Sequence, residues 1–327
     1  MAQAKRPPAL RGGIDLGGTK IEAIVVDSRH RVVGSSRRPT PTSGTPADVA
    51  REMAAAMMEA TSAAGTESSR LSGVGVGSPG TVDTATGTVS SARNLPGWDG
   101  SFALGPTLAD ELGTRVRVGN DVQVATDAEF RLGAGRPYQS VLGVFWGTGV
   151  GGGIVLNGEP WRGRGGAGEI GHMVVKRGGR RCPCGNRGCM EAYAGRLAME
   201  ERARAEMGKG RKSALVKIMR RKGRDRFTSS VWGAAIEQGD KLAIALIDEA
   251  VQAIGTGVAS ALNLLDIEAV IIGGGLGVRF GDPYVSKISA EMKPHLFPGH
   301  QPPAVHLAGL GDLGGGIGAA LLVSRRR

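Results

Sequence analysis

The chain lacks both common glycine-rich phosphate motifs. It has no G-x-x-x-x-G-K-[ST] loop and no G-x-G-x-x-G set between a strand and a helix. It has only three cysteines, and its first residues, Met1 to Arg11, are polar and proline-containing, with neither a secretory pattern nor a membrane span. Export and the disulfide chemistry that accompanies it are therefore not expected, and the pattern suits a cytoplasmic enzyme. No long low-complexity tract is present. With 327 residues, 41% of them hydrophobic, and 55 glycines, the chain reads as globular, long enough for a large core and for two domains.

The formal net charge of +11 looks at first like a nucleic-acid signature. Its location says otherwise. Residues 196–226 hold 12 Lys or Arg against 4 acids, a net 12 − 4 = +8, and Arg325-Arg326-Arg327 add +3, so the remainder is balanced. Within that segment, Leu215, Val216, Ile218 and Met219 supply an apolar stripe, and Arg220 to Arg224 reads as an exposed turn or helix end. A solvated basic face is the plain reading; a landing strip for a polyanion, polyphosphate or nucleic acid, is the sharper one. Little aromatic interleaving weakens the nucleic-acid version.

What the chain does have is a repeated glycine turn between β-patterned runs. Gly13 to Leu16, the turn Gly17-Gly18-Thr19-Lys20, and Ile21 to Val26 suit two antiparallel strands. Val141 to Trp146, then Gly147-Thr148-Gly149 and Gly151 to Gly153 as the turn, then Ile154 to Leu156, repeat the device. Gly273-Gly274-Gly275 follows a third apolar run, and Asp15 closes the first strand. Glycine lets backbone approach a phosphate closely, and N–H groups with a Thr hydroxyl can donate to its oxygens. One such turn means little, but three together predict a phosphoryl-transfer enzyme.

All three cysteines, Cys182, Cys184 and Cys189, lie within eight residues, among Pro183, Gly185 and Gly188. A crowded, odd set argues for a metal rather than disulfides. Zinc takes four tetrahedral N or S ligands, and His172, ten residues upstream, is the nearest histidine. Four protein ligands would make the ion structural, fixing the neighbouring Glu169 and Glu191.

A kinase acting on a hydroxyl needs a base, and Asn120-Asp121 supplies one. Thr114 to Val118 alternates as a strand and Val122 to Leu132 reads as a helix, which puts Asp121 at the junction, where Asp commonly caps a helix. Its company of Asn120, Glu169 and Glu191 is of the kind that brackets a polyhydroxylated ligand. Elsewhere, 47–64 and 241–265 read as helices, 71–77 and 269–272 as buried strands, and 311–322 as a closing helix.

In order, Asp15 to Lys20, Gly77-Ser78-Pro79-Gly80, Asn94-Leu95-Pro96-Gly97-Trp98, Asn120-Asp121, Gly147 to Gly149, Glu169 to His172, the box from Cys182 to Glu191, and Gly273 to Gly275 resemble the ROK family of sugar kinases and sugar-responsive repressors. The likeness spans 12–322, and Asn94 to Trp98 is similar to the sugar loop of bacterial ATP-dependent glucokinases. It implies an α/β, actin-like, hexokinase-type (ribonuclease H-like) two-domain fold with duplicated mixed sheets and an interdomain cleft. The expected domains are 1–119, completed by the C-terminal helix 311–327, and 120–310, carrying a zinc loop at 172–191. It also implies roles. Asp121 would be the catalytic base, and Ser78, Gly80, Asn94, Asn120, Glu169, His172 and Glu191 would line the sugar. Asp15 would position Mg2+. Gly17, Gly18, Thr19, Lys20, Gly147, Thr148 and Gly149 would surround the ATP phosphates, and Gly273, Gly274 and Gly275 would lie against the adenosine. His172, Cys182, Cys184 and Cys189 would bind zinc, with one histidine nitrogen on zinc and the other toward sugar. The substrates implied are glucose and ATP, with mannose, N-acetylglucosamine or polyphosphate as alternatives, and a homodimer is expected by analogy. Fourteen residues before Asp15 are too few for a helix-turn-helix, so nucleic-acid binding is not expected. A non-catalytic sugar-binding regulator is the rival from another class.

Overall fold

The structure, a computed structural model, describes residues 10–92, 95–299 and 301–324. It separates into two compact units. The first is the chain up to Leu132 with Arg162–Gly166 and everything from Leu310; the second is Gly133–Trp161 with Ala167–Gly309.

The first unit opens with β1 (Arg11–Leu16), β2 (Lys20–Val26) and β3 (Val32–Pro39), an antiparallel meander in which Asp15 faces Glu22 and Leu16 faces Ile21. The apolar residues of β1 and β2 are buried, whereas β3 alternates exposed and half-buried residues as a sheet edge does. Then α1 (Pro46–Ala63) starts at a capping box, with the Thr45 N–H donating to Asp48 Oδ2 at 2.8 Å, and buries the helical stripe Val49, Met53, Ala56, Met57 and Ala60. Next come β4 (Val74–Ser78), a small antiparallel sheet of β5 (Thr81–Asp83), β6 (Thr88–Ser90) and β7 (Ser101–Phe102), and α2 (Leu104–Leu112). After them β8 (Val116–Asn120) runs directly into α3 (Asp121–Leu132). With β4 and β8 parallel to β1, the sheet order is β3-β2-β1-β4-β8.

The second unit repeats this topology. Its strands are β9 (Val141–Trp146), β10 (Val150–Leu156) and β11 (Glu159–Pro160), followed by α4 (Glu191–Ala194), α5 (Arg196–Gly208), α6 (Leu215–Arg221), α7 (Ser229–Glu237) and α8 (Lys241–Leu265). Then come β12 (Ala269–Gly273), α9 (Gly274–Phe280), α10 (Asp282–Met292) and β13 (Ala304–Leu307). The order β11-β10-β9-β12-β13 makes both sheets third-second-first-fourth-fifth, with the same parallel and antiparallel pairings. That duplication is the actin-like, hexokinase-type plan. α8 starts at Asp240, whose carboxylate accepts the Leu242 and Ala243 N–H groups, and is long and apolar enough to cross a membrane. Here it packs against α4, α5, α7 and α10, and its apolar face is core. In place of the long turn read from the sequence, Gly151, Gly152 and Gly153 lie inside β10. A side chain at Gly152 would strike the carbonyl of Gly168, so Gly152 serves close approach within the strand rather than a loop.

The chain returns to the first unit with α11 (Gly314–Leu321), preceded by a 3-10 turn at Gly311–Leu313, so the closing helix begins three residues later than the sequence pattern put it. It packs on β1 and β4 through glycines: a Cβ at Gly13 would collide with the Gly316 carbonyl, and one at Gly75 with the Ala319 carbonyl. Its other side meets α3, where Gly318 sits against the Val124 carbonyl. This contact assigns α3 to the first unit. The division therefore falls after Leu132 rather than after residue 119.

Candidate active site

In each unit the glycine turns singled out above lie at the carboxyl ends of parallel strands, where open α/β sheets present ligand-binding loops. In the first unit these ends are the turn after β1, the Ser78-Pro79-Gly80 loop after β4, and Asn120-Asp121 after β8. Ser78 is fully buried and registers against Asn120. The Asn120 amide donates to the Gly80 carbonyl at 3.4 Å, tying the β4 loop to the head of α3. Asn120 is also the cap: its Oδ1 accepts the N–H groups of Val122 (3.1 Å) and Gln123 (3.2 Å). Asp121, which the sequence pattern made the cap, instead occupies the first helical turn, its Oδ1 accepting the Val122 N–H at 2.9 Å.

Asp15 keeps a window to solvent, yet protein surrounds its carboxylate closely enough that loss of hydration raises its pKa, against the opposing pull of Lys20. The first turn of α11 lies against it, since a Cβ on Gly315 would collide with both carboxylate oxygens. The positive end of the helix offsets part of the buried charge. The turn between β1 and β2 is closed by the Gly17 N–H donating to the Lys20 carbonyl at 2.9 Å and is braced by Thr40, whose hydroxyl donates to the Gly17 carbonyl at 2.6 Å. Gly18 is half-buried and Thr19 exposed. Lys20 is engaged with Glu22, 3.4 Å away, which also pairs with Arg37. Asn94 lies outside the described residues, while Leu95 and Trp98 beside it are buried, Trp98 donating to the Val89 carbonyl.

In the second unit, two glycine turns adjoin at the ends of β9 and β12. Gly147 faces the N–H of Gly275 across a gap that a side chain would narrow to contact. Gly274, at φ +79°, packs so tightly over the Trp146 backbone that only glycine fits. Behind the first turn runs the segment from Glu191 to Leu197. The Val150 N–H donates to Glu191 Oε2 (2.9 Å), and the Trp146 indole N–H donates to the Ala194 carbonyl (2.7 Å). The N–H groups of Arg196 and Leu197 donate to the carbonyls of Gly147 (3.1 Å) and Thr148 (3.2 Å). Sequence reading missed this backing, and a side chain added at Gly275 would come within 4.0 Å of the Ser229 hydroxyl.

His172, Cys182, Cys184 and Cys189 converge as their spacing predicted, with all four ligand atoms within 4.8 Å of one another. Cys182 Sγ lies 3.7 Å from His172 Nδ1, and Cys184 Sγ lies 3.7 Å from Cys189 Sγ. Thiolates held at about 2.3 Å around a tetrahedral ion stand about 3.8 Å apart, so the set fits one. Burial pushes the Cys182 thiol up to about 12 and raises Cys189 as well, a disfavouring of thiolate that a divalent cation reverses. His172 Nε2 points the other way, 3.9 Å from Glu169 Oε2, and Glu191 Oε1 lies 4.0 Å from Cys182 Sγ. Glu169, His172 and Glu191 thus border the cysteine centre, although one oxygen of Glu191 is already engaged by Val150. The exposed run Arg220 to Arg226 ends in buried Phe227.

Comparison with known proteins bears on the family and the fold. The model of the ROK family matches residues 11–326. Among curated relatives, a glucokinase of Thermotoga maritima is 32% identical over 287 residues, 88% of each chain. An N-acetyl-D-glucosamine kinase of Salmonella paratyphi A is 32% identical over 328 aligned positions, 95% of this chain and 98% of that one. A crystal structure of a ROK family glucokinase from Streptomyces griseus, in complex with glucose and AMPPNP, superposes with a TM-score of 0.83 at 33% identity, covering 96% of this chain and 98% of that one.

Proposed function

Because the chain belongs to the ROK family, we infer that it is an ATP-dependent hexose kinase, a glucokinase that transfers the γ-phosphate of ATP to the 6-hydroxyl of glucose to give glucose 6-phosphate and ADP. The observation that carries the reading is Asp121 at the head of α3 in a protein that also keeps all three glycine turns. A sugar-binding regulator needs neither a base nor a phosphate clamp.

Asp121 accepts the proton of the 6-hydroxyl as that oxygen attacks the phosphorus. Asn94, Asn120, Glu169, His172 and Glu191 take the other hydroxyls, with Ser78 and Gly80 lining the sugar beside them. Gly17 to Lys20 and Gly147 to Gly149 would donate to the phosphates, Asp15 would help hold Mg2+, which would neutralise phosphate charge, and Gly273 to Gly275 would let the adenosine lie on backbone. His172 Nδ1 and the three cysteine sulfurs would hold zinc, and four protein ligands would make it structural. His172 Nε2, 3.9 Å from Glu169 Oε2, would then be the nitrogen available to the sugar. We place the enzyme in the cytoplasm as a homodimer.

The test is product formation from a panel of hexoses with Mg-ATP and, separately, with inorganic polyphosphate. Glucose 6-phosphate formed with ATP is the expected result. Preference for N-acetylglucosamine or mannose would move the acceptor within the same mechanism. Turnover with polyphosphate would give the exposed run Arg220 to Arg226 a donor-binding role, and no turnover with any sugar would favour the regulator.

A further inference from the structure

We propose that Arg196 is a positioning residue for the nucleotide: its guanidinium, buried behind the Gly147 to Gly149 turn, fixes the Thr148 hydroxyl as a hydrogen-bond donor toward a phosphate. The inference rests on the kinase reading above. Arg196 begins α5 and is only 9% exposed. Its Nη2 donates to Thr148 Oγ1 at 3.0 Å, and its Nη1 donates to the Phe227 carbonyl at 3.3 Å. A guanidinium has donors and no acceptor. Thr148 Oγ1 must therefore accept in this bond, which leaves the threonine's own O–H hydrogen to point elsewhere. Main-chain bonds from Arg196 and Leu197 hold the carbonyls of the same turn, so the hydroxyl is fixed in place as well as in polarity.

The charge of Arg196 carries the second part of the argument. Among the described residues no carboxylate lies within 4.0 Å of its guanidinium. The nearest acid on its own helix, Glu200, is committed elsewhere. Its Oε1 accepts from Arg204 Nε and Nη2 (3.0 and 2.7 Å), and its Oε2 accepts the Phe227 N–H (3.0 Å). Arg204 in turn covers the Phe227 ring, 4.5 Å from its centroid. The remaining charges around Arg196 are Arg226 and Asp225, of opposite sign. Burial lowers the Arg196 pKa, and the opposing charges of Glu200 and Asp225 offset this only in part while Arg226 adds to it. An anionic phosphate arriving on the far side of Thr148 supplies the missing negative charge across one side chain.

The test is binding of Mg-ADP by calorimetry, alongside steady-state kinetics, on the full chain. Arg196→Met keeps the volume and removes the donors and charge. It is expected to raise the Kd for Mg-ADP and the KM for ATP by about tenfold or more, leaving the KM for glucose within about twofold. Arg196→Lys, which keeps the charge without the fork, is expected to fall between. If Arg196 acts through Thr148, then Arg196→Met in a Thr148→Val background should add less than about twofold. Unchanged Mg-ADP binding in folded Arg196→Met, or losses that multiply in full across the double variant, would overturn the inference. Should Arg196→Met not fold, the same two criteria apply to Arg196→Lys. Wild-type protein that does not bind Mg-ADP at all would overturn the kinase reading, and this inference with it.

Discussion

Glu191 lies directly behind Gly149: its Oε2 accepts the Val150 N–H at 2.9 Å, and a Cβ on Gly149 would collide with the same oxygen. Its other oxygen is 4.0 Å from Cys182 Sγ. One carboxylate therefore touches both the glycine turn and the cysteine centre, a contact through which loss of the centre would reach the turn.

Gly149→Ala should displace that carboxylate. The expected result is a KM for ATP raised about tenfold, with metal content retained, since the ligand atoms themselves are untouched. Normal ATP kinetics in the folded variant would show that Glu191 moves aside without consequence.

Asp121→Asn keeps the side-chain shape and the acceptor for the Val122 N–H but loses the proton acceptor. Turnover should fall at least ~100-fold with the melting temperature within a few degrees of wild type. Turnover near normal would remove Asp121 from the role of base.

Cys184→Ser replaces a soft ligand in a four-ligand set. Zinc content, read by elemental analysis, should be lost. The melting temperature should drop by about 5 °C or more, and affinity for glucose should weaken together with that for ATP, because Glu191 borders both sites. Protein without metal but with unchanged melting and kinetics would contradict this.

Asp15 gives a pH prediction. Its pKa is raised by desolvation, so the folded state holds the proton more tightly than the unfolded chain. The stability linked to this group is complete below the unfolded value near 3.8 and is lost as pH rises through the higher folded value. Asp15→Asn should therefore be more stable than wild type at neutral pH without ligand, with the difference shrinking toward acid, while Mg-ATP turnover is largely abolished. Thermal melts from pH 4 to pH 8 measure it; a variant less stable at pH 7 than at pH 4, relative to wild type, would reverse the sign.

Gly75→Ala would drive a methyl group into the Ala319 carbonyl. A loss of about 3 kcal/mol is expected in urea unfolding, because backbone rather than a flexible side chain must yield. Little change would mean that α11 can shift on the sheet.

Local signals carried much of this structure. The hairpins around Gly17 and Gly147 were legible because β-patterned runs and glycine turns are features of contiguous residues; the first formed where expected, and the second closes with a shorter turn because β10 begins at Val150. The cysteine centre was legible because short spacing leaves three thiols few other arrangements. The limits of local pattern appear at Asn120 and Asp121: either can cap a helix, and only the path of the chain from β8 decided that Asn120 does.

Amino-acid order alone thus determined most of the strand and helix periodicities, the three glycine turns and the cysteine–histidine cluster, since each depends on residues close in the chain. Only the tertiary structure decided that α3 belongs with α11 in the first unit, that Gly13, Gly75 and Gly318 serve helix packing, and that Arg196 differs from the exposed basic residues that follow it. The reason is physical. Burial and close backbone approach are set by partners tens to hundreds of residues away, and the charge of an arginine reads the same in sequence whether water or a glycine turn surrounds it.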